Sequence, residues 1–366
     1  MDLINTVSDL IRFRTETGNT KEINQCLEYC KNLFAGTSAK IDVFRKDNIA
    51  PVLFIRNHDV EDFDVVILGH LDVVPAEDHM FEPKIEGSRM IGRGTLDMKS
   101  FAAVAFNSMF YVLENNLDLK FGIILSTDEE KGSAGTHAFM DAHPDISAKI
   151  VLDNDVGGDI LKIVNKCKNP VFVKLIAEGK EAHGSTPWEG IDANEKILQV
   201  LSNIRKHYPY YSKELAKPEN TWIDTVHFAK IEGGEVANVI SNHCEALLDF
   251  RLTENSTVEG LKEKLDECLV DGVEYKIVSS SHPVVMDEQN QHILQYKKLA
   301  EEILEQKIDF EYIGGATDSR EFAEKGSVVI MHSGSGYGMH ASDEYVEWNS
   351  VEQLAEIQRQ FLKNMA

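Results

Sequence analysis

Val65-Val66-Ile67-Leu68-Gly69-His70-Leu71-Asp72 runs from four consecutive apolar residues into a glycine, a histidine and an aspartate. A short apolar run closed by such residues reads as a buried strand. Outward from it the same pattern recurs at Val52–Ile55, Phe121–Leu125, Ile150–Leu152 and Val328–Met331, with a helical stretch near Phe101–Leu113 separating two of the runs. Upstream, Leu3, Ile4, Val7, Leu10 and Ile11, then Ile23, Leu27 and Leu33, keep a helical period and predict two opening helices. Strands that alternate with helices predict an α/β chain built on an open sheet.

Between about Pro170 and Ser281 the pattern changes. Strand-like Val171–Ile176, a helix from about Ala193 to Tyr208, strand-like Trp222–Ala229 and Ala246–Leu252, and a helix near Val258–Leu269 predict a smaller α+β sheet. The α/β pattern resumes after Val284, so the expectation is one discontinuous domain, residues 1–168 and 282–366, with a domain inserted at 169–281.

A chain of 366 residues, 43% hydrophobic, is long enough to bury a sizeable core. Its 37 Lys and Arg stand against 61 Asp and Glu, a formal charge of −24. That charge repels a phosphate backbone or an anionic membrane, so neither nucleic acid nor membrane is expected as a partner. Asp2, Asp9, Arg12, Arg14 and Glu16 interrupt the apolar residues of the N-terminus, unlike a signal peptide, and no segment reaches the ~18 apolar residues of a membrane span. The five cysteines, Cys26, Cys30, Cys167, Cys244 and Cys268, form an odd, unpatterned set that suits a reducing, cytoplasmic compartment. Cys26 and Cys30, at i, i+4, are expected as core residues rather than metal ligands.

The chemistry-bearing residues follow the apolar runs. In an extended segment, residues two apart share a side, so His70 and Asp72 can touch, and a carboxylate on one imidazole nitrogen leaves the other free for a metal. By itself the triplet is a weak signal and reads first as a surface polar pair. Gly92-Arg93-Gly94-Thr95-Leu96-Asp97-Met98-Lys99 places Asp97 before a helix, as a bridging ligand or an N-cap. Ser126-Thr127-Asp128-Glu129-Glu130 reads as a metal-and-water pair of glutamates or a solvated acidic turn. Ile150–Leu152 ends in Asp153-Asn154-Asp155, and Gly338-Met339-His340-Ala341-Ser342-Asp343-Glu344 carries a histidine after a glycine-rich loop. Ligands bind outside the carboxyl ends of strands in open α/β sheets, so five such clusters together point to a metal site. Mixed histidine and carboxylate ligands suit zinc, cobalt or manganese, and two ions sharing a carboxylate form a clamp for hydrolysis.

With GHLDVVP, GRGTLDMK, STDEE, AHGSTPWEG, a GG followed by NVI and DFR, GGATDSREF and MHASDEYV in this order, nearly the whole chain resembles one family. It is that of the aminoacylases, acetylornithine deacetylases, succinyl-diaminopimelate desuccinylases and carboxypeptidase G, di-zinc metallopeptidases. The resemblance implies that His70 binds one ion, Asp97 bridges two, and Glu130 and His340 hold the second. It implies that Asp72 orients His70 and that Glu129 is the general base. The remaining ligand is Asp153 or Asp155, with Asp153 preferred as the first acid after its run. His183, in the inserted segment, resembles the histidine that reaches a partner subunit's site and stabilises an oxyanion, so a homodimer with a lid and dimerisation domain is expected. Asn238, Arg251 and Arg320 match substrate-side positions, the two arginines suited to a carboxylate.

The implied reaction is hydrolysis of an N-acyl amino acid, as in acetylornithine deacetylase and succinyl-diaminopimelate desuccinylase, with two divalent ions, zinc first and cobalt or manganese next. The alternative within the family is a dipeptidase or tripeptidase. The alternative of another class is a silent relative that binds a metabolite or a protein.

Overall fold

The computed structural model describes residues 1–208 and 222–366. The chain divides into two compact units, one of residues 1–165, 286–311 and 317–366, the other of residues 166–285 and 312–316.

In the larger unit the apolar runs pair as a mixed sheet in the order Lys40–Phe44, Val52–Arg56, Phe121–Ser126, Asp62–His70, Ser147–Asp153, Val328–Met331, Lys162–Cys167. Its middle is parallel. Val65 registers with Phe121 and with Ile150, and Val328 with Ile150. The carboxyl ends of these four strands, at Ser126, His70, Asp153 and Met331, therefore open on one edge of the sheet. Helix Lys99–Glu114 is apolar nearly all round, as a helix enclosed by a sheet and other helices must be. It packs against Leu3–Arg12 and Trp348–Met365. The Phe34 ring stacks on Phe110 at 4.7 Å and meets Phe106 edge-on at 5.7 Å.

The smaller unit carries an antiparallel sheet in the order Thr225–Gly233, His243–Leu252, Asn169–Glu178, Val273–Ser280. Val171, Val173, Leu175 and Ala177 alternate inward with Ala246, Leu248, Phe250 and Leu252, and helices Ala193–His207 and Val258–Cys268 add Ile197, Val200, Leu261 and Leu265 to that core. Asp192 and Thr257 cap these helices, accepting from Asn194 N–H at 2.9 Å and Gly260 N–H at 3.0 Å.

The expected α/β class and separate α+β sheet are the observed ones. Two expectations for the smaller sheet need correction. The strand anticipated from Trp222 starts at Thr225, because the Asp224 carboxylate accepts from Thr253 N–H at 2.7 Å and from the Thr253 and Ser256 hydroxyls, which holds this segment in a turn. Val273–Ser280 forms a fourth strand, beyond the three expected. None of the five cysteines is in a disulfide and all are buried, with Cys26 and Cys30 in the core. Among the described residues no helix is long and apolar enough to cross a membrane.

Candidate metal centre

The parallel register brings the candidate ligands to one edge. His70 ends its strand, Asp155 lies two residues past the end of Ser147–Asp153, and Glu129 and Glu130 open a 3-10 turn three residues beyond Ser126. Asp97 stands just before helix Lys99–Glu114 but does not cap it; Met98 holds the cap position and makes no side-chain cap bond. The N-cap reading of Asp97 is thereby excluded.

The Asp97 carboxylate divides its oxygens between two histidines. Oδ1 lies 2.9 Å from His70 Nε2, and Oδ2 lies 3.0 Å from His340 Nε2. His340 Nε2 is also 3.0 Å from Glu130 Oε2, and His70 Nε2 is 3.8 Å from Asp155 Oδ2. Two groups result, His70 with Asp97 and Asp155, and Asp97 with Glu130 and His340, in each of which the ligand atoms lie within 4.8 Å of one another. Asp97 belongs to both.

Asp155, rather than the preferred Asp153, joins the first group. Asp153 ends the strand fully buried, its Oδ1 accepting from Asp155 N–H at 2.9 Å beside the Thr317 and Ser319 hydroxyls. Residues 153 and 155 are separated by the two-residue period, but the strand ends at Asp153, and the chain beyond it is free to turn Asp155 toward His70.

The electrostatics test whether a cation fits. Burial works against a charge on His70, yet Asp155, then Asp72 and Asp97, hold its pKa well above the ordinary value. Asp97 and Glu130 raise His340 to about 10. Burial likewise opposes the charge of Asp97, and the two histidines outweigh it and hold the carboxyl well below the usual range. Burial drives Asp155 up to about 7. The His70 Nδ1–H donates to the Asp72 carbonyl at 3.0 Å, so a neutral ring would turn its Nε2 lone pair toward an anionic oxygen. The arrangement needs either an extra proton on the ring or a divalent cation among the same atoms. Glu130 Oε1 is buried with no hydrogen-bond partner, an acceptor left open. The residues fit a divalent ion, and the nitrogen-and-oxygen donor set suits zinc, cobalt or manganese.

Asp72 does more than orient His70. Its carboxylate lies 3.4 Å from His70 Nδ1 and accepts from the N–H of Glu129 at 3.1 Å, the N–H of Glu130 at 3.3 Å and the Thr17 hydroxyl at 2.7 Å. One buried anion thus fixes the histidine at one strand end and the glutamate pair at the next. Burial, then the charge of Asp155, pushes Glu129 well above the usual carboxyl range. Thr17, Arg93 and Glu344 went unassigned in the sequence. Arg93 and Glu344 stand inside two of the quoted motifs, whereas Thr17 carries no local signal.

The substrate-side residues are dispersed. In the smaller unit His183 and Asn238 come together, with the Gly184 N–H donating to the Asn238 carbonyl at 2.7 Å and His183 bridged to Val239. The Ser185 N–H donates to His183 Nδ1 at 3.1 Å, which leaves Nε2 to carry the proton of the neutral ring. Arg251 is not brought to them. It opposes Pro170, whereas His243, eight residues earlier on the strand and so roughly 26 Å away, opposes Glu178. Its guanidinium is already paired with Asp249 at 2.8 and 3.1 Å. In the larger unit Arg320 is buried near Asp318 at 3.9 Å, its Nε without a partner.

The sequence model of peptidase family M20/M25/M40 matches residues 66–364. A relative named succinyl-diaminopimelate desuccinylase, from Rickettsia felis, is 26% identical over 390 aligned positions and covers 98% of each chain. Among solved structures, a metallo-carboxypeptidase from Sulfolobus solfataricus superposes with a TM-score of 0.83 at 15% identity, over 100% of this chain and 99% of that one. A tripeptidase from Staphylococcus aureus gives 0.77 at 18% identity, over 99% and 97%.

Proposed function

This chain belongs to peptidase family M20/M25/M40, and we propose that within it the protein is a di-metal amidohydrolase that releases an amino acid from its N-acyl derivative. The observation that carries this reading is Asp97, shared between two histidine-and-carboxylate groups. His70, Asp97 and Asp155 would hold one divalent ion, and Asp97, Glu130 and His340 the other, zinc by donor set. Ions held there supply Lewis acidity, which polarises a carbonyl and makes water easier to deprotonate.

The chain's own residues do the rest. Asp72 fixes the tautomer of His70 and anchors the backbone of Glu129 and Glu130, so ligand and base keep their spacing. Glu129 takes the proton of the attacking water and passes it to the leaving amine; burial and neighbouring carboxylates favour the protonated form it must hold between the two steps. The smaller unit is assigned as lid and dimerisation domain. His183, exposed and with its Nε2–H free to donate, would stabilise the oxyanion in the partner's site of a homodimer, and Asn238 beside it would contact substrate. Arg320 is the carboxylate anchor of choice, since Arg251 is spent on Asp249. The N-acyl amino acid is preferred because a relative of nearly equal length bears the desuccinylase name. Five cysteines without a disulfide support a cytoplasmic setting.

The deciding experiment is hydrolysis by metal-stripped protein, with and without added zinc or cobalt, across N-acetyl and N-succinyl amino acids, dipeptides and tripeptides. Zinc-restored cleavage of one acyl class supports the reading. Cleavage confined to peptides moves the substrate to the peptidase side of the family, and silence across the panel despite bound metal favours a binding protein.

A further inference from the structure

Asp97 and His340 meet at one imidazole nitrogen although 243 residues separate them in the chain. We infer that the buried pair Glu344 and Arg93 positions these two side chains, and so sets the affinity of the centre for its metal. The inference rests on the proposed function in taking Asp97 and His340 as ligands.

Glu344 is wholly buried and Arg93 nearly so. Glu344 Oε1 accepts from the N–H groups of Gly94 at 3.1 Å, Leu96 at 2.8 Å and Asp97 at 3.1 Å. Oε2 accepts from Gly94 N–H at 3.1 Å and from Arg93 Nη1. One carboxylate thus gathers the amides of the 94–97 loop, and the last amide it holds is that of the shared ligand. The inward turn needs a left-handed residue with no side chain. Gly94 has φ +88°, and a Cβ there would lie 2.9 Å from Lys99 Cδ and 3.1 Å from Val73 Cγ1.

The other half of the device reaches His340. Arg93 Nη2 donates to the Ala341 carbonyl at 3.0 Å, and the Ala341 N–H donates to the Gly338 carbonyl at 2.7 Å. His340 itself sits at φ +62°, a conformation that a non-glycine residue keeps only when its surroundings impose it. Arg93 grips the residue immediately after it. A buried ion pair adds little net stability over apolar residues of the same volume. What this one supplies is a fixed distance between two loops that must deliver ligands to one point.

The test is zinc affinity, measured by competition with a chromophoric chelator on the full chain, alongside the Tm of the metal-free protein. Glu344→Gln sets an NH2 group against backbone N–H donors and is expected to weaken zinc binding by about 10- to 100-fold. Arg93→Lys keeps the charge but loses the fork that reaches Ala341, and is expected to weaken it by about tenfold or more. Phe34→Leu, a core change away from both loops, serves as the stability control. Zinc affinities within about twofold of wild type in the folded variants would overturn the inference, as would an equal loss in Phe34→Leu. Should Glu344→Gln fail to fold, Arg93→Lys decides alone. Wild-type protein that binds no zinc would instead overturn the proposed function, and the inference with it.

Discussion

Asp155→Asn is expected to stabilise the metal-free protein while weakening its response to zinc. Burial raises the Asp155 carboxyl from its ordinary 3.8 to about 7. The sign follows from linkage: a group whose pKa is raised on folding contributes fully below its unfolded value and loses that contribution as pH climbs through the folded value. The cost of keeping Asp155 ionised is therefore absent below pH 4, grows up to pH 7 and is complete at pH 8. At 1.36 kcal/mol per pH unit, a span of about three units amounts to roughly 4 kcal/mol as an upper figure, since the side chain is 14% exposed and solvent screens part of it. Asparagine carries no such cost. At pH 8, with chelator, the variant should melt several degrees above wild type, by up to roughly 8 °C, given at most about 2 °C per kcal/mol for a chain of this length. At pH 5 the gap should fall below half. Zinc narrows the gap, because a ligand lost at about 100-fold in affinity forfeits about 2.7 kcal/mol of binding-linked stability. Thermal melts at both pH values, with chelator and with zinc, read all of this. A metal-free variant that melts below wild type at pH 8, or one that gains as much from zinc, would refute the placing of Asp155 among the crowded ligands.

Two further substitutions separate base from scaffold. Glu129→Gln should take up zinc like wild type and lose about 10²–10⁴-fold in kcat; steady-state kinetics showing near-native turnover would remove Glu129 from the base role. Asp72→Asn presents an NH2 group toward backbone donors that the carboxylate now satisfies, and each orphaned amide costs about 1–3 kcal/mol. The metal-free Tm should drop, with zinc affinity down by about 10–100-fold in the same titration. A normal Tm with normal zinc binding would show that the Glu129–Glu130 turn holds its shape unaided.

The parts of the centre that were legible in the sequence are those where a local pattern and a topological rule coincide. Apolar runs announce the strands, and their parallel order follows from alternation with helices, so the sequence pattern alone puts His70, Asp72, Glu129 and Glu130 at one sheet edge. The choice between Asp153 and Asp155 was not legible. It turns on how the chain leaves the strand, which depends on Thr317 and Ser319 beside Asp153, more than 160 residues away in sequence, and on the charge of His70 beside Asp155. Arg251 presents the opposite case. A guanidinium in a matching motif reads as able to bind a carboxylate, and here it already pairs with Asp249, two residues away on the same strand face.

The same contrast explains why Glu344 escaped notice although it stands in the same motif as His340. Residue-type reasoning looks for side chains that could touch a metal, and Glu344 touches none; its carboxylate is consumed by backbone amides of a loop 250 residues away. A centre assembled from strand ends is open to solvent on the side that admits substrate, and His340 is half exposed in its side chain. Such a ligand cannot be held by packing alone. It needs a polar tether on its protein side, and a buried carboxylate that accepts several amides at once is a compact way to provide one. The acid content of this chain, which at first reading argued only against phosphate-bearing partners, thus has a second use: Asp72 and Glu344 are carboxylates that organise backbone, while Asp97, Glu130 and Asp155 are carboxylates grouped with histidines around the candidate cation positions.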